Sequence, residues 1–170
     1  AAALYLARQG VKIKVILDRQ YGMISESGFS EEEIRQLFLN KDGNQLNPSG
    51  TQPAEEVNKI AWKMGCEIFI PAAASRIVSH VQLQTLIDHG TKMVSRGANV
   101  PFVEDQIIFG DTSQAVDAEL ALIPDFIANC GMARTFNYLM QKESLMDEDS
   151  IFNDVSSTIK IALEQVKGEE

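Results

Sequence analysis

Short apolar runs alternate with amphipathic stretches along most of this chain. Ala1 to Gln9 carries a helical pattern that stops at Gly10, a residue suited to a helix C-cap. In Val11 to Leu17, Val11, Ile13 and Val15 alternate with lysines before the run turns wholly apolar, which predicts a strand entering a buried sheet. Ser30-Glu31-Glu32-Glu33 has the form of a capping box ahead of Ile34, Leu37 and Phe38, so a helix starts at Ser30. Lys41 to Pro53 is dense in turn formers and reads as a loop, and Ala54 to Met64 as a helix stopped by Gly65. The series then repeats. Cys66 to Pro71, Lys92 to Ser95 and Leu120 to Ile123 read as strands. Helices follow from a Ser79 cap to Gly90, from Asn129 to Gln141 and from Asp149 to Val166, the last with an apolar stripe through Ile151, Val155, Ile159, Ala162 and Val166. The closing Lys-Gly-Glu-Glu reads as a frayed end.

Strands alternating with amphipathic helices predict an α/β fold, a Rossmann-like parallel sheet with helices on both faces. Residues 1–145 are expected to form that domain and 146–170 a C-terminal helix. In such sheets ligands sit outside the carboxyl ends of the strands. Those ends carry Asp18, then Pro71-Ala72-Ala73-Ala74, then Arg96-Gly97-Ala98-Asn99, then Pro124-Asp125. Small and amide residues in the second and third suit a backbone that approaches a flat ligand closely.

Composition narrows the chemistry. The chain has 170 residues, 45% hydrophobic and 23% charged, which suits one globular domain. A net charge of −9 argues against a phosphate-tracking surface, hence against nucleic acid, and no apolar run reaches the length of a membrane span. Two cysteines, Cys66 and Cys130, are too few for a disulfide framework and point to a reducing cytoplasm.

Asp18 is placed either to accept hydrogen bonds from an adenosine ribose or to form an ordinary turn before Gly22. Gly97-Ala98-Asn99 can set an amide beside a nicotinamide carboxamide, and Asn129 can do the same or cap the following helix. His80 and His89 fall in the first and last turns of a helix and read as surface residues, Cys66 as core packing. Cys130 sits near a helix start with no histidine beside it in sequence, so it is not expected to be a nucleophile. Asp147-Glu148-Asp149 reads as an acidic helix start, and Ser144 and Ser150 as surface. No metal-ligand spacing occurs. The phosphate-cradling G-x-G-x-x-G turn is also absent, and the chain reads as a fragment that begins after it.

Three strings, GCEIFIPAA, RGANVP and IPDFIANCGM, together resemble the nucleotide-binding domain of the glutamate/leucine/phenylalanine/valine dehydrogenase family, over Ala1 to about Val166. The resemblance implies NAD or NADP as cofactor, an amino acid and its 2-oxo acid as substrates, and a homo-oligomer. It places the family's catalytic lysine and aspartate in another, N-terminal domain that nothing here matches, so no catalytic residue is expected in this chain. It sets Asn129 and Asn99 near the nicotinamide and Ala72 and Ala73 along the cofactor path.

Four departures accompany it. Met132 stands for the family's second glycine, and Phe136 for a serine that contacts a glutamate side chain. The second change tilts specificity toward an apolar side chain, or toward recognition by Arg134. The spacing from Asn99 to Pro124 is long, and a one-residue slip at Asp18 would turn Arg19 to the ribose and favour NADP. The competing readings are an adenosylmethionine-dependent methyltransferase, which predicts neither Pro-Ala-Ala nor Gly-Ala-Asn, and a non-catalytic remnant acting in assembly or regulation.

Overall fold

The computed structural model describes residues 2–106, 109–141 and 145–167; Ser144 and the closing residues 168–170 lie outside them. The chain forms two compact units, Ala1–Glu67 with Val81–Thr91, and Ile68–His80 with Lys92–Glu170.

In the first unit α1 (Ala2–Arg8) ends in a turn where the Gly10 N–H donates to the Ala7 carbonyl and Gly10 takes φ 79°. β1 (Ile13–Leu17) does not enter a parallel sheet. It turns back at Asp18 and pairs antiparallel with β2 (Tyr21–Phe29), which pairs in turn with β3 (Gln52–Pro53). The reversal is set by Asp18, whose N–H donates to the Tyr21 carbonyl while its Oδ1 accepts from the Gln20 and Tyr21 amides at 2.8 and 2.7 Å.

The helix at Ser30 is present as α2 (Glu31–Leu39), with both halves of the capping box formed. α3 (Ala54–Ala61) packs on β2 through fully buried Val57. Gly22 makes that contact possible, because a Cβ there would stand 2.7 Å from Leu17 Cδ1 and 3.1 Å from Val57 Cγ1. Lys14 reaches from β1 to the carbonyls of Met64 and Gly65 at 3.0 and 2.9 Å, just past the end of α3, where a cation is favoured. α4 (His80–Asp88) buries Leu83 and Leu86.

The second unit holds the parallel layer. β4 (Ile68–Phe69), β5 (Met93–Ser95) and β6 (Ala121–Ile123) run parallel in that order, Phe69 beside Val94 and Val94 beside Leu122, with Val94 fully buried. The α/β fold with a parallel sheet flanked by helices is thus present, in shorter strands than the apolar runs suggest.

The residues around 109–117 are not simply a long connection. They lead into α5 (Asp111–Glu119), which packs on β6. Its first turn is held from outside: Ser113 donates from its N–H and its Oγ to the buried Glu104 carboxylate at 3.0 and 2.6 Å. The helix expected over Asn129 to Gln141 is present as α7 (Gly131–Leu139); a short helix that the sequence did not announce, α6 (Asp125–Ala128), precedes it, and both pack on α8 (Glu148–Lys167). No helix among the described residues is long and apolar enough to cross a membrane.

Candidate functional site

The carboxyl ends of β4 and β5 meet. The Ala98 N–H donates to the Pro71 carbonyl at 2.9 Å, and a Cβ on Gly97 would lie 3.0 Å from Ala72 Cβ and 3.4 Å from Ile70 Cγ2. Gly97 therefore has no side chain because the Ala72 turn already fills that space. Ala72, Gly97 and Ala98 come together, and exposed Ala73 follows them.

Asn99 and Asn129 meet as well. Asn129 Nδ2 donates to Asn99 Oδ1 at 2.8 Å, and both residues are exposed. Asn129 is not the N-cap of the following helix, as one reading of the sequence had it. It is the C-cap of α6, its N–H donating to the Asp125 carbonyl at 2.8 Å, and Cys130 occupies the N-cap position of α7 with Sγ donating to the Ile127 carbonyl. Gly131, the first residue of α7, would meet only an ordinary van der Waals neighbour, Val155 Cγ1 at 3.7 Å, if it carried a Cβ. No tight turn demands glycine there. The pair retains the Asn99 amide nitrogen as a donor and the Asn129 amide oxygen as an acceptor. One donor and one acceptor side by side match a carboxamide.

Asp18 and Arg19 belong to the first unit. The Asp18 carboxylate accepts from three backbone amides, those of Gln20, Tyr21 and Leu46. A carboxylate offers about four lone-pair sites, so one is left for a ligand. Arg19 is exposed and makes no hydrogen bond or ion pair among the described residues.

Phe136 is 62% exposed on α7, one helical turn from exposed Met132 and one from exposed Met140. Arg134 does not stand open beside it. Its Nε and Nη2 each donate to Asp154 of α8 at 2.6 Å, and its Nη1 to Asn137 at 2.9 Å. This fork holds the Asp154 carboxyl below the usual aspartate range and raises the guanidinium in turn. A guanidinium so engaged clamps two helices together and is not available to a substrate carboxylate.

His80 and His89 are exposed, and Cys66 is half-buried with Sγ 3.4 Å from Thr91 Oγ1. Among the described residues no His, Cys, Asp and Glu cluster could hold a metal ion. The grooves along α8 and beside α2 contain none of these candidates. The residue that sequence reasoning missed is Arg96, directly after β5, which is 2% exposed. An arginine at a strand end gives no sign in the sequence that it turns inward.

A family model described as Glutamate/Leucine/Phenylalanine/Valine dehydrogenase matches residues 1–168. The NADP-specific glutamate dehydrogenase of Agaricus bisporus is 27% identical over 137 residues, covering 76% of this chain and 30% of that protein. The NADP(+)-dependent glutamate dehydrogenase of Pyrobaculum calidifontis is 25% identical over 135 residues, again 76% of this chain and 30% of that protein. The chain thus spans just under a third of the length of these relatives. Among solved structures, Plasmodium falciparum glutamate dehydrogenase superposes with a TM-score of 0.63 at 17% identity, over 92% of this chain and 35% of that one. Plasmodium falciparum glutamate dehydrogenase 2 does so with a TM-score of 0.72 at 15% identity, over 94% and 36%. At those identities the likeness speaks for the fold.

Proposed function

The chain belongs to the glutamate/leucine/phenylalanine/valine dehydrogenase family, and from that premise we propose that it is the nucleotide-binding part of an NAD(P)-dependent amino-acid dehydrogenase. The observation that carries the reading is the Asn99–Asn129 amide pair beside the close-packed Ala72 and Gly97 turns, all past the carboxyl ends of parallel strands. There the pair offers its donor and acceptor to a nicotinamide carboxamide, while the small residues leave the ring room to lie flat against the backbone. When bound, the cofactor supplies a hydride acceptor for the alpha carbon of the amino acid, and water then hydrolyses the imine to a 2-oxo acid and ammonia.

On this reading residues 1–145 form the nucleotide-binding domain, and α8 is the C-terminal helix that follows it. The chain works within a longer, homo-oligomeric cytoplasmic polypeptide whose other domain brings the catalytic lysine and aspartate. Phe136 faces the substrate side chain and favours an apolar one over glutamate. For the adenosine end we take the register in which Arg19, in place of Asp18, faces the ribose and its 2′-phosphate, which makes NADP the preferred cofactor. The two relatives named for NADP and the unpaired Arg19 support that choice.

Titration of the chain with NADPH and NADH, followed by reduced-nicotinamide fluorescence, tests the proposal. Tighter binding of NADPH that Arg19→Ala reduces to the NADH level is the expected result. Equal affinities would remove the NADP assignment, and absence of binding by either dinucleotide would remove the cofactor reading itself.

A further inference from the structure

Behind the amide pair lie two opposite charges that the cofactor reading does not use. The Nε and Nη2 of Arg96 are buried without a hydrogen-bond partner, and Nη2 stands 3.8 Å from Asp125 Oδ1. The guanidinium also lies 5.3 Å from the ring centre of fully buried Phe102. A buried cation needs an opposite charge, and Asp125 supplies it.

Asp125 turns its other oxygen to the loop, where Oδ2 accepts from the Val100 N–H at 3.0 Å. Val100 has φ 44°, a left-handed backbone that a branched side chain rarely adopts and that persists only where its surroundings enforce it. The Asp125 carbonyl accepts from the Asn129 N–H at 2.8 Å. One residue therefore grips the neighbour of Asn99 with its side chain and Asn129 with its backbone. The bond between the two asparagines closes the ring.

We propose that Asp125 is a positioning residue for the amide pair: its carboxylate, held by buried Arg96, keeps Val100 left-handed and so fixes where the Asn99 carboxamide stands. The consequence for cofactor binding rests on the function proposed above; the positioning itself does not.

Spectra of the nitrogen-labelled chain report the side-chain amide signals of Asn99 and Asn129 without any cofactor. In Asp125→Ala these signals should move to the values of solvated asparagine, and NADPH affinity should fall roughly ten- to a hundredfold, as misplacement of a positioned group does. Adding Val100→Gly to Asp125→Ala should restore part of both losses, because glycine takes positive φ without a clamp. If Asp125→Ala does not fold, Arg96→Met with Asp125→Leu removes the clamp without stranding a buried cation and should displace the same signals.

Unmoved asparagine signals in whichever variant folds would overturn the proposal, as would a glycine double variant no better than Asp125→Ala. Displaced and rescued signals in a chain that never binds NADPH would uphold the positioning and overturn the cofactor reading instead.

Discussion

Asn129 Nδ2 donates a 2.8 Å hydrogen bond to Asn99 Oδ1 across 30 residues of chain. The bond joins the loop after β5 to the end of α6 and leaves one donor and one acceptor pointing to no other described residue. Asn99→Ala and Asn129→Ala should each weaken NADPH binding about tenfold, the loss of one to two hydrogen bonds. Both positions are exposed, so unfolding free energies should stay within about 0.5 kcal/mol of the parent. Asn99→Asp separates the two roles, since it keeps the acceptor toward Asn129 and loses only the donor toward the ligand. Parental affinity in all three variants would take the pair out of the site.

Phe136→Ser replaces an exposed ring with a hydroxyl donor. In the longer enzyme proposed here, the ratio of kcat/KM for glutamate to that for leucine should rise by roughly ten- to a hundredfold, the scale of gaining one substrate hydrogen bond while losing apolar contact. Stability should barely change. An unaltered substrate profile would remove Phe136 from the substrate pocket.

The Arg134–Asp154 fork fastens α7 to α8, and its pH dependence has a definite sign. Asp154 has a folded-state pKa below its unfolded value, because Arg134 donates to its charged form. It therefore stabilises the fold fully above the unfolded value of about 3.9, and that contribution is lost as pH falls through the lower folded value. Asp154→Asn should lower Tm at neutral pH, with the difference from the parent shrinking to nothing in strong acid. A difference in Tm that does not change with pH would contradict the ion pair.

A Cβ on Gly110, the N-cap of α5, would lie 2.7 Å from Oε2 and 2.9 Å from Cδ of the Glu104 carboxylate that Ser113 holds in place, whereas exposed Gln106, equally near, can swing away. Gly110→Ala should cost about 1–3 kcal/mol by overpacking. Glu104→Gln should cost a similar ~1–3 kcal/mol, because a neutral amide replaces the carboxylate that receives both Ser113 donors. Urea midpoints of the two variants measure this, and parental midpoints would show the cap to be loose.

What could be read from the sequence was whatever its local chemistry determines. Ser30 and Glu33 form their reciprocal bonds, and the stripe from Ile151 to Val166 lies within a single helix as its spacing predicts. Ala72, Gly97 and Asn99 stand past strand ends because short apolar runs and small residues mark those places. α5 stayed hidden because the residues it buries are Thr112, Ser113 and Val116, so small hydroxyl side chains, that of Ser113 held by Glu104, replace the apolar stripe that would reveal a helix. β2 stayed hidden because its serines and two glycines carry little strand signal, and its partner is chosen by the turn at Asp18. The inward turn of Arg96 depends on Asp125 and Phe102, which lie six and more residues away, and no local pattern encodes it.

The most direct test of the account is to add NADPH to the nitrogen-labelled chain and follow the side-chain amide signals of Asn99 and Asn129. Both signals should move together and saturate with the same dissociation constant. Saturable binding that leaves both signals in place would contradict the account, because the cofactor would then occupy some other surface of the chain.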